Sequence, residues 1–223
     1  MGLDWRPMGK PKPGLEERYI QIFRILQGVE KQELSFIDRI KGKKLPTKEQ
    51  LLEEWFANQI PTYETIKAPQ VGRDKIADDW IKEKYNESDK SVSLDQFIHD
   101  HHGYYVIELA GELDGVPMYI AMQQDRNVFR GQFLDDCKDI IGEELHSEAW
   151  GTKLADETLK YGQKLMAIAD KTATENNLLY LKEQRMPPDA DEDSLESKVH
   201  ILYSAAKWLI FYGKNGHGYE ADF

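Results

Sequence analysis

Apolar positions along this chain fall mostly at helical spacings. Tyr19, Ile22, Phe23 and Leu26 recur three and four residues apart, behind Glu16 and Glu17, acids that suit the positive end of a helix; Gly28 stops the pattern. A short apolar segment at Leu34, Phe36, Ile37 and Ile40 follows. Thr47 opens the next helix as its N-cap, with Gln50 as capping-box partner and Leu51 and Trp55 on the buried side. Residues 73–85 predict another helix through Ile76, Trp80 and Ile81, and Ser93 caps the short helix SLDQFIHDHH, which Gly103 follows.

The period then changes. Residues 104–110 (YYVIELA) and 116–123 (VPMYIAMQ) are rich in aromatic and β-branched residues and are joined by GELDG, the pattern of an antiparallel hairpin. A lone hairpin is marginally stable, so a third strand is expected, at residues 62–67. Helical spacing returns over 129–145, 150–175 and 195–212. The last of these is apolar almost all round, with His200, Ser204 and Lys207 as a narrow polar line, which predicts a helix through the middle of the core. Gly213 is expected to cap it, ahead of a tail whose Tyr219 and Phe223 favour docking. Residues 1–14, with Pro7, Pro11 and Pro13, read as an extended arm, and residues 15–223 as one domain. The predicted fold class is α+β: a mainly helical single domain with a small antiparallel sheet built on the 104–123 hairpin.

Composition narrows the classes of function. With 40% hydrophobic and 31% charged residues in 223, the chain has the make-up of a globular protein. No run reaches the roughly 18 apolar residues of a membrane span, and the first residues lack the apolar stretch of a signal peptide. One cysteine, Cys137, fits a reducing compartment, so a soluble, cytoplasmic protein without a membrane role is expected. The formal net charge of −11 argues against nucleic acid, whose phosphates need a cationic face, and favours a basic protein partner. The proline-rich arm offers a route to a homodimer.

Two stretches carry candidate chemistry. FIHDHHGYYVIEL holds three of the six histidines. On a helix only His99 and His102 share a face, too few for a zinc site, and histidines in a last turn before Gly103 suit helix termination. DDCKD matches the aspartate-rich pattern by which carboxylates a turn apart hold Mg²⁺ against a diphosphate; Asp135, Asp136 and Asp139 are the candidate metal ligands, with Glu143 continuing the row. Like charges at that spacing repel, so Arg126 and Arg130 are expected to reach back, or the row to meet a cation or a basic partner. Cys137, on the apolar side, reads as an inert core thiol. No nucleophile elbow, phosphate-binding loop or dinucleotide fingerprint is present.

These features predict a non-catalytic acidic binding or regulatory module, of the inhibitor or immunity type, binding through Asp135, Asp139 and Glu143 with Arg126 and Arg130 beside them, and needing no cofactor. The alternative is a Mg²⁺-dependent hydrolase or transferase acting on a phosphate or diphosphate. In it His99 or His102 would serve as general base, and Arg126 or Arg130 would neutralise the phosphate.

Overall fold

The computed structural model describes residues 2–33, 44–66, 69–104, 106, 109, 128–184 and 186–223. In chain order the elements are β1 (Asp4–Pro7), β2 (Lys10–Pro11), α1 (Glu16–Leu26), α2 (Lys48–Ala57), β3 (Gln59–Ile60), the single turn α3 (Tyr63–Ile66), α4 (Lys75–Glu87), α5 (Leu94–Asp100), α6 (Lys138–Glu148), α7 (Ala155–Asn176), α8 (Leu195–Lys214) and β4 (Tyr219–Asp222). Tight 3-10 turns stand at Gly131–Asp135 and Leu179–Lys182. The protein is mainly helical with a small antiparallel sheet, an α+β chain. The hairpin expected at 104–123 lies, apart from Tyr104, Val106 and Leu109, outside the described residues. The strand expected at 62–67 is instead the turn α3, in which the Thr65 amide bonds back to the Thr62 carbonyl at 2.9 Å.

The chain forms two compact units, Gly9–Pro61 and a larger one of Met1–Met8 with Thr62–Phe223. In the smaller, α1 packs on α2 through the rings of Tyr19 and Trp55, stacked at 5.1 Å, with Phe23 beyond. Thr47 and Gln50 form the capping box read from sequence. Arg18 grips both oxygens of Glu54 at 2.7 Å, and this hydrogen-bonded pairing holds the Glu54 carboxyl below its ordinary range. The pair is more than a third exposed, so it adds at most about 1 kcal/mol.

In the larger unit the core is the helix pair α7 and α8. Gly162 faces Leu209 and Ile210 while Gly213 faces Leu159, so the two helices run antiparallel. The approach is tight: a methyl group on Gly213 would lie 2.7 Å from the Leu159 amide nitrogen, and one on Gly162 would lie 2.8 Å from Leu209 Cβ. Gly213 is therefore a packing glycine, because α8 runs on to Lys214 and the left-handed turn comes at Gly216. Val199, Leu202, Ala205, Trp208, Leu209 and Tyr212 are buried along α8, as its apolar sequence predicts.

The two ends of the chain close over this pair. β1 runs antiparallel to β4, with Trp5 opposite Ala221 and Pro7 opposite Tyr219. Trp5 also exchanges backbone hydrogen bonds with Phe129 at 2.8 and 3.1 Å, and Tyr219 does the same with Lys153 at 2.9 Å. The Trp5 indole lies among Phe129, Tyr161, Trp208 and Tyr219, with ring centroids 5.1–6.0 Å away, and its Nε1 donates to the Ala149 carbonyl at 2.9 Å. A second cluster of Val71, Ala77, Ile81 and Val106 lies under α4 and α5.

The helix expected over 129–145 is broken. Gly131–Asp135 is a 3-10 turn, Cys137 is the N-cap of α6, and Gly142 interrupts α6 with a φ of +77°, a conformation glycine adopts freely. The helix expected from 150 begins at Ala155, because the intervening Lys153 pairs with Tyr219 of β4.

The packing role of Gly213 makes a prediction. Alanine is the better helix former by about 1 kcal/mol, yet Gly213→Ala should lower stability by about 1–3 kcal/mol through overpacking against the Leu159 backbone. Urea denaturation followed by circular dichroism checks this; a stabilised variant would mean that the two helices are free to separate.

Candidate functional site

At the histidine stretch, Ser93 caps α5 by accepting from the Gln96 amide at 3.2 Å, and Gly103, with φ +89°, turns the chain away. The turn is knitted to residues 69–71. Val71 donates to the Tyr104 carbonyl at 3.0 Å, Gly103 to Val71 at 2.9 Å, and the Gln70 side chain to Gly103 at 2.8 Å. His101 Nδ1 sits 2.8 Å from the Phe97 carbonyl; a carbonyl only accepts, so the ring donates there. His102 lies across the bare face of Gly72, whose amide donates to Asp78 at 2.7 Å. His99 is exposed on α5. All three histidines thus belong to the surroundings of a helix end.

The acidic row does not follow one helix face, since the chain breaks between its members. Asp135 ends the 3-10 turn and accepts from His146 Nε2 at 2.6 Å and from Gln132 at 3.0 Å. Asp139, in the first turn of α6, pairs with Lys198 of α8 at 2.9 Å, and this hydrogen bond raises the lysine's pKa. Glu143, past the Gly142 break, pairs with Lys138 at 2.9 Å. Asp136 is exposed beside them. Arg130 turns to Asp4 at 3.1 Å rather than to the row, and Arg126 lies outside the described residues. The side chains bonded to the row are therefore His146, Gln132, Lys138 and Lys198, and among the described residues none comes from α5. His146 was invisible to spacing rules: it stands eleven positions from Asp135 across a backbone break.

Cys137 is buried beneath the row, its Sγ 3.4 Å from the Lys198 carbonyl. Burial, with Asp136 and Asp139 adding to it, pushes the thiol far above its ordinary range and leaves it without nucleophilic character. No family model, curated protein or solved structure matches the chain. Among the described residues no group of three or more His, Cys, Asp and Glu side chains is placed to hold a metal ion, and no helix is long and apolar enough to cross a membrane.

The polar line of α8 fastens the segment that returns from α7. His200 Nε2 donates to the Gln184 carbonyl at 3.0 Å, Lys207 Nζ donates to the Lys182 carbonyl, and the neighbouring Tyr203 hydroxyl donates to Asp170 at 3.0 Å. Lys182 closes on the same Asp170 carboxylate at 2.8 and 3.0 Å. His217, wholly buried, spans the Met8 carbonyl at 2.8 Å, to which Nδ1 donates, and the Thr65 hydroxyl, 2.7 Å from Nε2.

Burial, assisted by Lys207, lowers the His200 pKa below its ordinary 6.5, while the bond to Gln184 opposes the shift. The unfolded chain then binds more protons than the folded one just below pH 6.5, so acidification through that value removes stability until the folded ring itself protonates. Thermal melts across this window should show His200→Gln losing less stability on acidification than the parent. Parallel losses would mean that His200 is charged in the folded state.

Proposed function

We propose that the protein is a non-catalytic acidic binding module that engages a basic protein partner. One observation carries this reading. Asp135, Asp136, Asp139 and Glu143 stand exposed on one short stretch, Asp139 with 64% and Glu143 with 79% of the side chain accessible, and among the described residues their ion pairs are those to His146, Lys198 and Lys138. An exposed pair such as Lys138 with Glu143 is worth about 0–1 kcal/mol, so a partner's lysines and arginines can replace Lys138 at little expense, while Lys198 and His146, themselves mostly covered, leave Asp139 and Asp135 open to solvent. The net charge of −11 adds long-range attraction for such a partner and repels nucleic acid.

The magnesium alternative needs Asp135, Asp136 and Asp139 to converge. Asp135 turns instead to His146 and Gln132, Asp139 turns to Lys198, and among the described residues neither His99 nor His102 is bonded to the row. The free buried cysteine fits a reducing, cytoplasmic setting, which belongs to the same reading. The strand Asp4–Pro7 is paired within its own chain, so a homodimer through the N-terminal arm would use residues beyond that strand.

Fluorescence anisotropy with a labelled Lys–Ser repeat peptide tests the proposal. Asp135→Asn/Asp139→Asn/Glu143→Gln should weaken binding at least about tenfold more than Glu53→Gln/Glu83→Gln/Glu175→Gln, which removes equal charge elsewhere. Equal weakening would reduce the row to a share of the overall charge. A rise in melting temperature with millimolar Mg²⁺ that the row variant abolishes would favour the alternative.

A further inference from the structure

The clearest unexplained surface lies at the far end of the α7 and α8 pair. Leu179 is 50% exposed, Tyr180 55%, Met186 58% and Leu195 37%. Scattered single apolar residues on a surface are ordinary, but neighbouring ones mark contact sites. The Tyr180 hydroxyl donates to Glu196 at 2.8 Å, which sets the 3-10 turn against the first turn of α8, where Leu195 stands. Gln184 donates to the Met186 carbonyl at 2.8 Å, and the Gln184 carbonyl is itself held by His200. Leu178 and Leu181, between and beside the outward residues, are buried. The segment is pinned from below with its apolar side chains turned out, so a ligand would not have to order it.

The rim of this face is acidic. From Leu179 to Glu196 the sequence carries Glu183, Asp189, Asp191, Glu192, Asp193 and Glu196 against Lys182 and Arg185, and no lysine or arginine after Met186. Asp189, Asp191, Glu192 and Asp193 are exposed, and the Asp191 carbonyl fastens the loop by accepting from the Ser194 amide and the Ser197 hydroxyl, both at 2.9 Å.

We infer that the face of Leu179, Tyr180, Met186 and Leu195 docks a cationic amphipathic helix of a protein partner. Leucine, methionine and tyrosine adapt to the apolar stripe of such a helix, and the acidic loop pairs with the lysines or arginines that flank it. A second copy of this chain would set acidic rim against acidic rim, and an anionic lipid surface would be repelled in the same way. The inference rests on the acidic-module reading and gives its partner a shape.

The test uses the full chain and a labelled Leu–Lys peptide with leucines at helical spacing, beside an isomer of the same composition with leucines scattered. The patterned peptide should bind at least about tenfold more tightly than the isomer. Leu179→Ser/Met186→Ser should erase that difference and leave the isomer's affinity unchanged; Tyr180→Ser serves if the double variant melts lower. Asp189→Lys/Glu192→Lys should weaken both peptides. Equal binding of the two peptides, an advantage that survives the serine variants, or sedimentation showing that the face closes a dimer would each overturn the inference. If the advantage disappears only when Asp135, Asp139 and Glu143 are neutralised, the docking face is wrong while the acidic-module reading stands. If removing charge at either place affects neither peptide, that reading falls as well.

Discussion

The larger unit depends on where one indole is placed. Trp5 comes from the first strand, yet its ring touches aromatic side chains from α7, α8, β4 and the 129 bridge, and its nitrogen reaches the end of the α6 region at Ala149. Gly131 makes room, since a methyl group there would lie 2.8 Å from the indole nitrogen. Four-residue strands at the two chain ends have little stability of their own. Burying this large ring, whose truncation in a core typically costs about 3–5 kcal/mol, is what makes their pairing worthwhile. The order of β1 and β4 and the start of α7 at Ala155 both follow from it.

A second constraint follows from the burial of α8. A helix enclosed on nearly every side loses about 1–3 kcal/mol for each buried donor it leaves unpaired. His200, Tyr203 and Lys207 avoid that loss by bonding to the 179–184 segment and to Asp170, which fixes the connection out of α7. The same fastening leaves Leu179, Tyr180 and Met186 facing outward. An internal requirement of the core thus produces an outward-facing apolar surface.

Local signals in the sequence located the helices well. The Thr47 capping box, the Ser93 cap, the positive φ at Gly103 and the buried course of α8 were all legible, because each depends on residues within a turn or two. Long-range pairing was not. Nothing near Trp5 reveals that Ala221 lies opposite, and Pro7 argues locally against a strand although it can end one. Gly213 looked like a cap because only the neighbouring helix shows that its missing side chain is needed. The acidic residues were identifiable, but their partners were not: Gly142 and the end of the 3-10 turn break the helix that would have kept Asp135, Asp139 and Glu143 in register, and His146 and Lys198 arrive from elsewhere.

The central claim is that the chain ends and the α7 and α8 pair form one cooperative core around Trp5. Native-state hydrogen exchange measures this directly. The amides of Trp5, Phe129 and Tyr219, each hydrogen-bonded across the ribbon, should open with the same free energy as those of Leu202 to Leu209 in α8, at the level of global unfolding. If Trp5 and Tyr219 exchange orders of magnitude faster while α8 stays protected, the terminal strands are a detachable cover and the account is wrong.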